Sequence, residues 1–336
     1  MNFKLAIVVL TWKDWKNTLF CLKSIQNQNF KNFKVFIVDN NSKDLTFFKI
    51  QQWSKKNKLK FFDSRKKKLK VIDIQSFDYF FLENKKNLGC GLGHNIGYKN
   101  AIKFNFDYVA RIDNDMVMPK KFLGNLVKIL EGNSHIQAIS PKIMYKFEKN
   151  KIWWRGTKIG NGLKFQKHLR DYPYGELDNT KLKGQIETDA IAGCASMMRV
   201  KRLKKVGLSD PEFFYGPEDI EFSRRIYLGK ESLIVDLDTK IYHAVTQSFR
   251  NLSQKRMYFE YKYRLLLIKK IGSFSDKCFG YSISVLKWLG YLLFALSGRH
   301  RKKIIPVGYA LKDFFMSRLG SFDRKNMNNL GSFYKK

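Results

Sequence analysis

Acidic residues are what this 336-residue chain has least of: 29 Asp and Glu stand against 64 Lys and Arg, giving a net charge of +35. That balance calls for an anionic partner, whether nucleic acid, anionic lipid or a phosphorylated substrate. AT-rich coding also enriches Lys, Asn, Phe and Ile, so charge alone does not choose among the three. Cysteine is sparse as well. Cys21, Cys90, Cys194 and Cys278 are dispersed, with no CxxC and no His-rich spacing. This excludes a disulfide frame and a thiolate zinc site, and suits reduced thiols inside a cell. The N-terminal apolar run, about seven residues, is too short for a signal peptide and reads as a buried first strand, so the chain is expected in the cytosol. The glycines at Gly89, Gly91 and Gly93 are spaced GxGxG, not GxGxxG, which excludes a dinucleotide fingerprint. Disorder is excluded by a hydrophobic content of 44%.

What is present alternates between strands and helices. Residues 3–11 form a near-continuous apolar strand, and 17–25 a helix with Leu19, Leu22 and Ile25 on one face. A second strand follows at 33–38, a helix at 45–56, another strand at 77–82 and an apolar run at 104–112. Apolar strands separated by helices imply a parallel sheet covered on both faces. In such sheets ligands sit beyond the carboxyl ends of the strands, where Thr11, Asp39, Asp113 and Asp115 all fall. Asp113 and Asp115 would repel each other unless a cation lies between or beside them. A divalent metal holding a diphosphate is the economical explanation. The basic stretch 54–70 reads as a solvated loop, and the glycines from 89 to 97 as permitting tight turning and close approach to a ligand or helix.

Beyond Asp115 the pattern changes. Residues 153–167 suggest hairpin strands, 188–199 a small-residue segment and 202–206 a helix. After Pro217, Glu218 and Asp219 fall in a helical first turn, where capping alone could account for one of them. Residues 257–271 are amphipathic and basic. Residues 278–297 are strongly apolar, interrupted by Lys287 and followed by the basic run 299–303. That stretch has the length of a membrane span, yet its internal Lys favours an interfacial helix gripping anionic lipid over a span or a buried helix.

Taken in order, these blocks resemble family 2 glycosyltransferases, in particular the rhamnosyltransferase-like branch. The resemblance is carried by Ile7-Val8-Val9-Leu10-Thr11-Trp12 with Cys21-Leu22-Lys23-Ser24-Ile25, by Val38-Asp39-Asn40-Asn41-Ser42, and by Asn87-Leu88-Gly89 through Asn95-Ile96-Gly97. Ile112-Asp113-Asn114-Asp115 occupies the DxD position. Ala192-Gly193-Cys194-Ala195, Arg199, Val206-Gly207-Leu208, Phe213-Phe214-Tyr215 and Glu218-Asp219 match the acceptor block, which Tyr242-His243 and Ser248 complete. Two departures bear on the acceptor: Lys13 stands where the family often has Asn, and Arg264-Leu265 where it has Arg-Asn.

The resemblance implies an α/β GT-A fold, with a Rossmann-like, mostly parallel sheet flanked by helices and a C-terminal helical, membrane-associating region. The divisions expected are 1–117 for the nucleotide-sugar half, 118–250 for the acceptor half and 251–336 for the basic helical region. It implies inverting hexosyl or deoxyhexosyl transfer from a nucleotide-diphosphate sugar to a cell-surface or lipid-linked glycan, at the cytoplasmic face of the cell membrane. Thr11, Asp39, Asn87, Gly89, Asn95 and Asp113 would contact the donor. Asp115, His243 and Asp113 would hold Mg²⁺ or Mn²⁺. Asp219 would be the general base, with Glu218 the competing assignment. On the residues alone, Asp39 could cap a turn with Ser42, and His243 could be an ordinary core or surface histidine. A sugar nucleotidyltransferase of similar fold would need a Gly- and Lys-rich phosphate loop near the first strand, which is missing. A nucleic-acid-binding module has no signature here, and no nucleic acid is expected as a partner.

Overall fold

The computed structural model describes residues 4–159, 175–179, 181–227, 232–244, 254–295 and 301–319. The part of the expected hairpin 153–167 from residue 160 onward, the cations Arg299 and His300, and Ser248 lie outside the described residues. The first half runs β1 (Leu5–Thr11), α1 (Trp15–Gln26), β2 (Phe33–Asp39), α2 (Thr46–Lys56), β3 (Phe61–Asp63), α3 (Val71–Ser76), β4 (Tyr79–Glu83), α4 (Cys90–Lys103) and β5 (Tyr108–Asp113). Then come β6 (Met116–Val117), α5 (Phe122–Gly132), β7 (Ile136–Tyr145), β8 (Ile152–Trp154), β9 (Gln185–Glu187) and β10 (Ala195–Arg199). The chain continues with α6 (Val200–Val206), α7 (Glu218–Ile226), β11 (Ser232–His243), α8 (Gln254–Ile271), α9 (Phe274–Ala295) and α10 (Arg301–Phe315).

One sheet joins both halves, in the order β3-β4-β2-β1-β5-β10-β7-β11-β6, with β8 on β7 and β9 on β11. The strands from β3 to β5 are parallel, as their unbroken apolar runs require. β10 enters antiparallel between β5 and β7. The register sets Thr11 beside Asp39 and Leu10 beside Asp113, so the polar strand ends share one edge of the sheet. One face is packed by residues such as Leu22, Ile25, Trp53 and Leu126, the other by Tyr98, Ala101, Leu203 and Phe222.

Three sequence expectations change. The stretch 54–70 is not wholly a loop, because Phe61–Asp63 pairs with β4 as an edge strand. The first helix starts earlier than residue 17, since Asp14 caps it by accepting from the Asn17 N–H. Two glycines of α4 serve approach to a strand and not to a helix or ligand: a Cβ on Gly93 would sit 2.5 Å from Leu10, and one on Gly97 2.3 Å from Val8.

The C-terminal helices form their own core against α7, through Phe213, Ile220, Tyr263, Leu266 and Phe314. α9 packs on α8 and α10, with the Tyr261 and Tyr291 hydroxyls 3.0 Å apart. Its outer stripe stays open, with Phe279, Leu286, Leu289 and Leu293 exposed. No helix among the described residues is long and apolar enough to cross a membrane.

Candidate active site

The site is assembled at the carboxyl ends of β1, β2 and β5. Asp113 closes β5, and its N–H donates to the Cys194 carbonyl at 2.8 Å. Asn114 points back, donating to the Thr18 hydroxyl at 3.0 Å. That hydroxyl is 2.7 Å from the hydroxyl of Thr11, so the turn between the two aspartates is tied to the first strand and helix. Asp115 leads into β6, which pairs with the end of β11 and sets His243 beside Met116. The pairing brings His243 Nε2 to 3.0 Å from Asp115 Oδ2 across 128 positions of sequence. Trp153 stands edge-on to the imidazole, ring centres 4.5 Å apart.

Asp113 does not join that pair. Its carboxylate turns to His94, 3.6 Å from Nε2, on the face of the sheet covered by α4. Burial pushes the Asp113 carboxyl up to about 7; the Asp115 charge adds to this, while Arg111 and His243 act against it. Cys90, His94 and Asp113 also gather within ligating reach of one another. The Arg111 guanidinium lies 3.1 Å from Cys90 Sγ, however, and puts a positive charge where a cation would have to sit. Burial holds the His94 imidazole well below its ordinary value, so it is neutral.

Asp39 is buried, which raises its carboxyl, and it accepts from the N–H and hydroxyl of Ser42. It therefore holds a turn at the carboxyl edge of the sheet. Arg65 reaches toward it from the turn after β3, bidentate on Asp63 and stacked 3.1 Å above the Phe47 ring. Asn40 is the hub of the next loop: it donates to Asn87 and to the Gly89 carbonyl and accepts from Asn84 and the Leu88 N–H. Asn87 and Gly89 are thus brought to the same turn, where Gly89 has φ +82° and a Cβ would sit 2.1 Å from the Phe214 carbonyl. Asn95 is placed differently. Its amide is engaged on both sides by the Ser209 backbone, at 2.9 and 3.0 Å, where it clamps α4 to the segment before α7.

The base candidates separate by environment. Glu218 is buried and bound to Arg111 at 2.8 Å. Asp219 is half-buried, and accepts from the Gly193 N–H at 3.0 Å and its own neighbour's, Ile220, at 2.9 Å. Gly193 makes this possible, because a Cβ there would meet the carboxylate at 2.7 Å. Burial pushes the Asp219 carboxyl up to about 6; the Glu218 charge adds to this, and Arg111 and the two N–H groups oppose it. Gly193 donates to the Asp219 carboxylate and the Cys194 carbonyl accepts from the Asp113 backbone N–H, so one dipeptide links the two aspartates. Arg111, Arg65 and Trp153 were not singled out from sequence; only Arg111 carried a signal, as a charge inside an apolar strand just before the acidic pair.

The model of "Glycosyl transferase family 2" matches residues 6–207. A curated relative, an "Uncharacterized glycosyltransferase" of Haemophilus influenzae, is 29% identical over 128 residues, which is 38% of this chain and 33% of the relative. The chain thus spans a third of the curated relative it matches. Among solved structures, the Pyrobaculum calidifontis mannosyltransferase PcManGT, in complex with GDP-Man and Mn²⁺, superposes with TM-score 0.53 at 15% identity, over 99% of this chain and 79% of that one. S. aureus TarS residues 1–349 with UDP-GlcNAc gives 0.53 at 16%, over 93% and 80%. GalNAc-T7 with UDP, GalNAc and Mn²⁺ gives 0.53 at 12%, over 79% and 51%. These likenesses show the fold, that of GT-A glycosyltransferases.

Proposed function

The chain belongs to glycosyl transferase family 2, and from that premise we propose that it transfers a sugar from a nucleoside-diphosphate donor to a glycan hydroxyl with inversion, in a metal-dependent reaction. The observation that carries this reading is the Gly193-Cys194 dipeptide, bonded to the Asp219 carboxylate on one side and to the Asp113 main chain on the other, with Asp115 and His243 paired beyond.

Asp115 and His243 fit a divalent cation. One carboxylate oxygen and one imidazole nitrogen, 3.0 Å apart where Asp115 meets the end of β11, would hold the ion, and such donors suit Mn²⁺ or Mg²⁺. When bound, the ion supplies Lewis-acid stabilisation of the leaving diphosphate. Asp113 would face the ribose or a metal-bound water, and Asp39 a base or ribose donor group. Asp219 takes the proton of the acceptor hydroxyl. The acceptor oxygen forms its bond to the anomeric carbon as the carbon–oxygen bond to the diphosphate breaks, and the electron pair leaves with the diphosphate. One displacement from the opposite face inverts the anomeric configuration. Glu218 is a weaker choice for the base, since it is buried and held by Arg111 whereas Asp219 is half open.

The acceptor is read as a lipid-linked or cell-surface glycan. Support comes from the open apolar stripe of α9, with Lys303 stacked over Tyr291 beside its C-terminal end. This suits peripheral binding to an anionic bilayer at the cytoplasmic face. The test of the reaction is release of UDP or GDP from a panel of nucleotide sugars with Mn²⁺. Expected is release from at least one donor, lost in Asp219→Asn with donor binding retained. Full release by that variant would contradict the assignment.

A further inference from the structure

Two buried charges are left over by the transfer reading, on which this inference rests. Arg111 lies in β5 two residues before Asp113, and Glu218 opens α7 immediately before Asp219. Their side chains are 4% and 3% exposed and meet at 2.8 Å. Space for Glu218 is made by Gly91, where a Cβ would crowd it at 3.2 Å. Arg111 also reaches Cys90 Sγ at 3.1 Å, and its Nε has no partner among the described residues. We infer that Arg111 and Glu218 are a positioning pair: they fasten the first turn of α7 to the strand bearing Asp113, and keep Glu218 an anion beside Asp219 that does not itself take the acceptor's proton.

Stability does not explain such a pair. Two charges out of water recover little more than their desolvation cost, and apolar residues of the same shape often serve as well. What the pair does supply is reference and charge. The proposed base and Asp113 are both fixed to β5, one by the Arg111–Glu218 link and one by the chain itself, so their separation is set by one strand. Groups facing Asp219 are Glu218 on its own helix, Arg111 from β5, Cys194 before β10, and the N–H groups of Gly193 and Ile220. Glu218 favours the protonated carboxyl, and Arg111 and the N–H groups favour the ionised one. Neutralising Glu218 must therefore make Asp219 easier to ionise.

The test uses the full chain labelled with ¹³C at the Asp carboxyls, the Asp219 resonance being the one absent from Asp219→Asn. In Glu218→Gln, which keeps the size and removes the charge, Asp219 is expected to titrate about one pH unit or more below the wild type. An unmoved midpoint overturns the pair. If Glu218→Gln does not fold, the double variant R111M/E218Q, which leaves no buried charge alone, takes its place. Expected is again a lower Asp219 midpoint, since the Glu218 charge outweighs that of Arg111 at this carboxyl; an unmoved or raised midpoint overturns the inference. Failure of the transfer reading shows separately, as UDP or GDP release that survives in Asp219→Asn, and the titrations then still decide the pair.

Discussion

At the residue scale the site depends on carboxylates whose environments differ. In the proposed reaction Asp219 must be ionised to accept a proton, and burial lifts its carboxyl to about 6. Turnover is therefore expected to climb with pH below about 6 and level off above it. A rate profile with the donor found by the panel checks this, and a profile flat down to pH 4.5 would remove Asp219 from the role. Asn95 makes the opposite case. It holds both backbone groups of Ser209, so Asn95→Ala should lower unfolding free energy by about 1–3 kcal/mol. Denaturant unfolding reads that loss, and the extra stabilisation by donor should be unchanged if the amide only clamps. Asp113 and Asp115 were legible in sequence because paired acids are rare in so basic a chain. The clamp by Asn95 was not, since its partner is backbone 114 positions away.

At the scale of elements, α4 rests against β1 through glycine, and this sets how close the Asn87–Gly89 turn comes to Asp39's strand. Gly97→Ala would place a Cβ 2.3 Å from Val8 Cγ1, against a side chain fixed within the core. The expected cost is about 1–3 kcal/mol, as for other overpacked cores, measured as a lower denaturant midpoint at unchanged slope. Parallel strands were readable here from unbroken apolar runs. β3 was hidden because three residues between lysine-rich flanks give no periodicity to detect. The Arg111–Glu218 contact was equally invisible: a charge inside an apolar strand marks Arg111, but no local pattern names a partner 107 positions away.

At the scale of the whole molecule, the surplus of cations and the open stripe of α9 point the same way. Leu286 and Leu293 are 64% and 70% exposed and lie two turns apart on that stripe. Replacing both by Glu should reduce co-sedimentation with phosphatidylglycerol vesicles several-fold, leave the melting temperature within a few degrees, and leave nucleotide release from a soluble assay unchanged. Equal sedimentation of variant and wild type would locate any membrane contact elsewhere. The order of sequence blocks made the fold readable at this scale, while the meeting of Asp115 and His243 depended on how β11 pairs with β6, which no local pattern encodes.

The central claim is that Asp115 and His243 hold a divalent cation that binds the donor's diphosphate. Thermal unfolding of the full chain with UDP or GDP, with and without Mn²⁺, tests it most directly, because a ligand bound only by the folded state raises its stability by RT ln(1 + [L]/Kd). Expected is a rise of several degrees with nucleotide and Mn²⁺ together, little with either alone, and none of the joint rise in Asp115→Asn. The same joint rise in Asp115→Asn, or full stabilisation by nucleotide in EDTA, would contradict it.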